Sequence, residues 1–233
     1  MPSRLDLARR ISEVRQRISL ACSRVRRNPS EITLVAVTKT VSPDIIGQAI
    51  SLGLDTFGEN KVQEARTKIS QIGEKVNWHM IGHLQTNKVK EAIEFFNLIH
   101  SIDSLRLLEE LNQRAGKINK KVDILLEVNV SAERSKYGFP EGEILRVIKA
   151  MEKYPSLKLH GFMTMAPLSP RAEDSRPYFR RLFNLSQEIS GEILPENVEM
   201  RYLSMGMTQD FEVAIEEGAN MVRVGRAIFG ERG

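Results

Sequence analysis

The sequence predicts an α/β protein built as a single (β/α)8 TIM barrel with an extra N-terminal helix. Three observations carry that prediction. Short apolar, β-branched runs alternate eight times with helical stretches, the pattern of parallel strands joined by helical crossovers. The chain has 233 residues, close to the roughly 250 that eight such units occupy. No linker rich in Pro, Gly or Ser and no shift in composition divides it, so 1–233 reads as one barrel domain with 1–28 as a helix packed on it. An open doubly wound sheet is the alternative, and the lack of a glycine-rich turn after the first strand counts against it.

The first helix is expected from Ser3 to Arg27, with Ser3 and Asp6 as a capping box and Asn28-Pro29 as its stop. Ile11, Val14, Ile18, Ala21 and Val25 make one apolar stripe. Arg9, Arg10, Arg15, Arg17, Arg24, Arg26 and Arg27 cover much of the rest, but Glu13 interrupts them and no aromatic residue is interleaved, so a solvated face is favoured over a nucleic-acid surface. The first strand is Thr33 through Thr40, closed by Ser42-Pro43-Asp44. There follow helix 43–52, strand 55–58, helix 60–71, strand 76–81, helix 85–96 and strand 97–101. The pattern continues with helix 104–116, strand 122–130, helix 141–152, strand 157–163, helix 172–190, strand 199–204, helix 209–217 and strand 221–225.

Composition narrows the class of protein. Hydrophobic residues at 41% and charged ones at 27% are ordinary for a water-soluble domain. No apolar run is long enough for a membrane span, and the first residues are charged where a signal peptide needs an apolar block, so a cytoplasmic protein is expected. A net charge of +4 slightly favours phosphate-bearing ligands and does not argue for nucleic acid or membrane. Cys22 cannot form an internal disulfide and reads as a small packed residue. With no heptad seam or large apolar helix face, a monomer is expected.

In such barrels the working groups lie at the carboxyl ends of the strands. On the first strand, period two puts Val35, Val37 and Lys39 on one side, so inward valines carry the lysine to the rim of the interior. A partly desolvated amine there is suited to forming a Schiff base; the plainer alternative is a solvent-capping lysine. The other strand ends supply Glu59 and Asn60, His79 through His83, Ser101 and Asp103, Asn129 with the loop to Lys136, Met163-Thr164-Met165, Ser204-Met205-Gly206, and Arg223 to Arg226. The small-residue turns at 204–208 and 225–230 follow the last two strands, where many barrels hold phosphate. Parity turns Arg223 inward, where it needs either a ligand or an internal ion pair with Glu59 or Glu127. An amine, a phosphate cradle and an inward arginine together suggest pyridoxal 5′-phosphate (PLP) as cofactor. His79 and His83 lack the helical spacing and third ligand of a metal site, and no metal is expected.

These motifs resemble those of the pyridoxal phosphate homeostasis proteins, the YggS/PROSC family. The resemblance spans the chain and rests on VAVTKT at 35–40, FGENKVQEA at 57–65, WHMIGHLQTNK at 78–88, GFMTMAP at 161–167, YLSMGMTQDFEVAI at 202–215 and MVRVGRAIFG at 221–230. It implies a barrel like that of alanine racemase and other fold-type III pyridoxal phosphate proteins. It further implies that Lys39 attaches the cofactor, Arg223 faces the pyridine nitrogen, Ser204, Gly225 and Arg226 with backbone near Gly206 hold the phosphate, and Asn60, His79 and Met163 lie near the ring.

An arginine at the ring nitrogen disfavours its protonation and weakens the electron sink of most pyridoxal chemistry. Racemisation also needs a second acid/base, and no residues are left for the extra domain that supplies it in racemases. The expectation is therefore a non-catalytic protein of vitamin B6 homeostasis that holds PLP as a Schiff base and passes it to apo-forms of PLP enzymes. Lys136, within Ser135-Lys136-Tyr137-Gly138, is a candidate second amine for transfer, or a solvated loop lysine. The alternatives are an amino acid racemase or lyase on the same cofactor, a Schiff-base aldolase disfavoured by the position of the lysine, and a nucleic-acid or protein adaptor using the basic first helix.

Overall fold

In the computed structural model, which describes residues 3–73, 75–133 and 136–231, eight parallel strands close into a barrel in sequence order. They are β1 (Thr33–Val37), β2 (Thr56–Glu59), β3 (Asn77–Met80), β4 (Leu98–Ile102), β5 (Val122–Glu127), β6 (Leu157–Met163), β7 (Val198–Ser204) and β8 (Met221–Val224). β8 pairs back onto β1, with Val35 opposite Arg223. The helices are α1 (Arg4–Arg24) ahead of the barrel, then α2 (Pro43–Ser51), α3 (Val62–Ile72), α4 (Val89–Phe95), α5 (Leu105–Lys117), α6 (Ile144–Ala150), α7 (Arg176–Ser190), α8 (Phe211–Glu216) and the short α9 (Arg226–Phe229).

Boundaries shift where polar chemistry ends an element early. β1 stops at Val37 rather than Thr40, because the Thr38 carbonyl is taken by the Val41 N–H and Thr40 turns to φ +63°. β5 stops at Glu127, after which Val130 donates to the Val128 carbonyl and Ala132 takes φ +55°. The helices expected from 85, 141 and 172 begin with 3₁₀ turns at 86–88, 141–143 and 172–175. In α7 the regular helix begins only around Pro177, whose missing N–H is tolerated in a first turn.

Strand alternation sorts the core into two layers. Ala36, Phe57, Trp78, Met80, Ile99, Leu126, Phe162, Val222 and Val224 face the helices and merge with their apolar stripes. The other parity fills the barrel: Val35, Leu98, Leu125, Met163 and Met221 form a separate apolar plug. Around that plug the interior also buries His79, His100, Glu127, Ser204 and Arg223, an unusually polar set for a barrel centre.

The α1 capping box forms as expected, Ser3 Oγ accepting from the Asp6 N–H and the Asp6 carboxylate accepting from the Ser3 N–H. Leu7, Ile11, Val14, Ile18, Ala21 and Cys22 are buried beneath it, and burial raises the Cys22 thiol pKa. The helix ends at Arg24, and its basic face is not simply solvated. Arg17 grips Glu212 with two hydrogen bonds, at 3.0 and 2.6 Å, and Arg24 meets Glu216 at 2.8 Å. Arg27 donates to the carbonyls of Ile215 and Ala219. These arginines dock α1 on α8. No described helix is long and apolar enough to cross a membrane.

The β6–β7 register shift turns on Gly161, at φ +130°, where an added Cβ would sit 2.1 Å from the Tyr202 carbonyl oxygen. Gly161→Ala is expected to destabilise the fold by about 1–3 kcal/mol, from a conformation that L side chains rarely adopt and a direct clash. Urea unfolding checks this, and an unchanged midpoint would show that the strands do not run this close.

Candidate cofactor site

A cavity of about 410 Å³ opens at the carboxyl ends of β1, β7 and β8. Lys39, Arg223, Gly225 and Arg226 line it, together with Val37, Thr208, Ser169 and Ser175. Two acids lie in its wall, Asp210 and Glu231. Asp210 is engaged, accepting from Ser175 Oγ at 2.9 Å and from the Met207 N–H at 2.7 Å. The set is therefore rich in donors and suits an anionic ligand; its volume suits a small one.

Lys39 sits in the turn after β1 and is exposed, so the expected desolvation of its amine is not seen. The reason is the early end of β1, which leaves the side chain at the rim rather than inside the wall. Its amine makes no hydrogen bond or ion pair among the described residues. The buried cation nearest this turn is fully engaged. Lys68, on α3, is 4% exposed and donates to the Thr38 carbonyl at 2.5 Å, to Glu59 at 2.7 Å and to Glu64 at 2.6 Å.

Arg223 is 4% exposed and finds its acceptors in oxygen atoms of β7 and of the segment after β6. Nη1 donates to the Ser204 carbonyl and to Ser204 Oγ, both at 2.7 Å, and Nη2 to the Thr164 carbonyl at 2.8 Å. The internal ion pair weighed with Glu59 or Glu127 is not formed. Glu59 instead accepts from Thr38 Oγ1 at 2.6 Å and pairs with Lys68. Burial lowers the Arg223 pKa to about 10, against the pull of Glu127 and Asp210, so the guanidinium stays charged at neutral pH.

Several expected site residues lie elsewhere. Ser204 is sealed in the barrel wall, bonded to Arg223 and to His100, and holds the guanidinium rather than lining the cavity. Gly206 packs behind the loop at φ +89°, where a Cβ would lie 2.6 Å from that of Ala214, while Met207 and Thr208 face the cavity. Met163 belongs to the apolar plug. Asn60 lies beneath Gly82, whose Cβ would meet its carbonyl oxygen at 2.5 Å. His79 lines a different cavity, of about 810 Å³, at the amino ends of the strands with Thr33, Asn77 and Asp123, the rim that serves stability in this fold.

His79 nevertheless reaches the site through a relay that spacing alone could not show. His79 Nδ1 lies 3.0 Å from His100 Nε2, and His100 Nδ1 lies 2.9 Å from Ser204 Oγ. Burial lowers the His79 pKa to about 4, and burial, with His79 and Arg223 nearby, lowers that of His100 well below the usual range, so both rings are neutral. Because a guanidinium only donates, Ser204 accepts from it; the arrangement that leaves no hydroxyl proton unpaired sends that proton to His100 Nδ1. His83, by contrast, lies outside this relay, bonded to Asp103 at 2.8 Å and stacked on Tyr137 at 4.0 Å. Lys136 is paired with Glu133 at 3.0 Å, and Ser135 lies outside the described residues.

Residues 11–233 match the family described as alanine racemase, N-terminal domain. A pyridoxal phosphate homeostasis protein of Aquifex aeolicus is 42% identical over 229 residues, covering 98% of this chain and 99% of that protein. The chain belongs to the pyridoxal phosphate homeostasis protein family. The protein of that name from Escherichia coli is 37% identical over 236 residues, with 97% of each chain covered. Among solved structures, PipY of Synechococcus elongatus with PLP bound has a TM-score of 0.83 at 29% identity, over 96% of this chain and all of that one. Alanine racemase of Clostridium difficile has a TM-score of 0.69 at 14% identity, over 93% of this chain and 58% of that one, a likeness of fold alone.

Glu127 gives this family member a pH dependence of its own. Burial, with Asp103 adding to it and Arg223 opposing, raises its pKa to about 7. The folded state then holds a proton that the unfolded state releases near 4.5, so the contribution of Glu127 to stability falls as pH rises from about 4.5 to 7 and levels off above. Glu127→Gln is expected to flatten that fall and to be more stable than wild type at pH 8 by about 1–3 kcal/mol. Denaturant midpoints across pH check this, and parallel curves for the two proteins would refute it.

Proposed function

We propose that this protein is a carrier of PLP in vitamin B6 homeostasis, holding the cofactor at Lys39 and yielding it to apo-enzymes. The observation that carries this reading is the cavity in which an unpartnered amine faces a donor-rich wall at the ends of β1, β7 and β8. The names of the relatives and the PLP-bound PipY structure support it. When bound, PLP supplies an aldehyde that condenses with an amine to a Schiff base, a C=N bond forming as water leaves, and a phosphate dianion that needs donors.

The residues fit that chemistry in named roles. Lys39 offers the amine at the rim. Arg226 and Thr208, with the N–H groups opening α9 at Gly225, supply donors for a phosphate on the same wall. Arg223 directs a charged, donor-only group at the cavity; its hydrogen-bond partners on β7 and after β6 keep it from swinging toward solvent. A cation at the ring nitrogen would keep that nitrogen unprotonated, which suits storage better than carbanion chemistry. Ser204 and His100 act behind it by holding the guanidinium in place.

Two measurements test the proposal. Wild type loaded with PLP and freed of excess is expected to show a visible Schiff-base absorbance that borohydride bleaches and that is absent in Lys39→Ala; such a band in both proteins would move the attachment elsewhere. Incubation of the loaded protein with amino acids in deuterated water is expected to give no exchange at Cα above free PLP. Fast exchange would replace the carrier reading with the racemase or lyase reading.

A further inference from the structure

The turn that presents Lys39 is held from behind by side chains to which no role attaches in the site itself. Both peptide groups flanking Lys39 are tethered to α3. On one side the Lys68 ammonium takes the Thr38 carbonyl at 2.5 Å, and Glu59 takes the Thr38 hydroxyl at 2.6 Å. On the other, the Thr40 N–H donates to Glu64. Glu64 Oε1 also accepts from Lys68 at 2.6 Å, so one ammonium joins the two tethers.

Two further features show that the turn is imposed rather than relaxed. Thr40 has φ +63°, a left-handed conformation that is a genuine outlier for a β-branched residue and persists only where surroundings force it. Glu59 is fully buried, its Oε2 has no hydrogen-bond partner among the described residues, and burial raises its pKa against Lys68 and Thr38. Glu64, half-buried, goes the other way: burial alone would raise its pKa, but the bonds from Lys68 and the Thr40 N–H outweigh it. A buried ion pair contributes little net stability, so its use here is better sought in the geometry it imposes.

We propose that Glu64 and Lys68 are positioning residues for Lys39, a clamp that fixes the peptide on either side of it so that its amine enters the cavity at the angle condensation needs. The inference rests on Lys39 as the attachment point. It also accounts for the choice of lysine: Lys68 is near the same turn, yet all three of its donors are taken and it is sealed from the ligand. The clamp holds one lysine while leaving the other free.

The test separates the rate of attachment from the strength of non-covalent binding. Full-length protein is mixed with PLP, quenched with borohydride at intervals and read by intact mass. Glu64→Ala is expected to slow attachment by at least about tenfold, the scale of a small misplacement of a reacting group. Glu64→Gln, which keeps an acceptor for the Thr40 N–H, is expected to recover most of the rate, and Lys68→Met to behave like Glu64→Ala. In a Lys39→Ala background, PLP affinity by equilibrium dialysis is expected to be the same with and without Glu64→Ala. Wild-type rates in Glu64→Ala and Lys68→Met would overturn the clamp alone. So would a slowed rate matched by an equal loss of affinity, since that marks general damage to the site. A wild type that traps no PLP would overturn the attachment at Lys39 and the clamp with it.

Discussion

Burying cations in a barrel wall without leaving them unpaired is the constraint on which this mouth depends. Arg223 meets it with two carbonyls and a hydroxyl instead of a carboxylate, so the ends of β7 and β8 and the segment after β6 are tied together by one guanidinium. Lys68 meets it with Glu59, Glu64 and the Thr38 carbonyl, which ties β1, β2 and α3. Either cation left unpaired would cost several kcal/mol, so both sets of contacts are strongly enforced. Lys39 stands between them and is bonded to neither. Its amine makes no hydrogen bond or ion pair among the described residues, whereas both buried cations beside it are engaged.

The same economy of partners shapes the interior below. A hydroxyl that accepts from a guanidinium has one proton to give, and His100 is placed to take it. His79 continues the line toward the amino-terminal rim. The two neutral imidazoles keep the barrel centre polar without adding charge, beside an arginine that burial already weakens. The cationic group is fixed by the fold before any ligand arrives, so little reorganisation is needed when one binds.

Most of the fold was legible because it rests on period. Alternation of two marked the strands, Val35 and Arg223 fell on the inward parity, and Trp78 and Met80 on the outward one. The ends were legible only in part. Nothing in the apolar run of β1 announces that Lys68, thirty residues on, will take the Thr38 carbonyl just past the strand's end. The clamp left a faint trace, since Glu64 and Lys68 are spaced i, i+4 on one helix face, but that spacing more often marks a solvent-exposed pair. Of the site residues, Lys39, Gly225 and Arg226 come together because each follows the end of its strand, and Arg223 joins them from the next-to-last position of β8. Ser204, His79 and Met163 also sit on inward positions, yet at depths where they meet other side chains instead of the cavity. Parity gives the face of a strand and does not give the height at which the barrel is filled.

The same distinction applies to the basic first helix. Its arginines read as solvated because their partners, Glu212 and Glu216, lie nearly two hundred residues away on α8. Charge pairing across such a separation has no local signature.

The claim at the centre of this account is that one lysine, left without partners at the rim, is the amine that meets the cofactor. Equimolar PLP, borohydride reduction and peptide mapping of the wild-type protein test it most directly. The account predicts a single phosphopyridoxyl group, on Lys39. Label spread over several lysines, or concentrated on Lys61, Lys68 or Lys136, would contradict it.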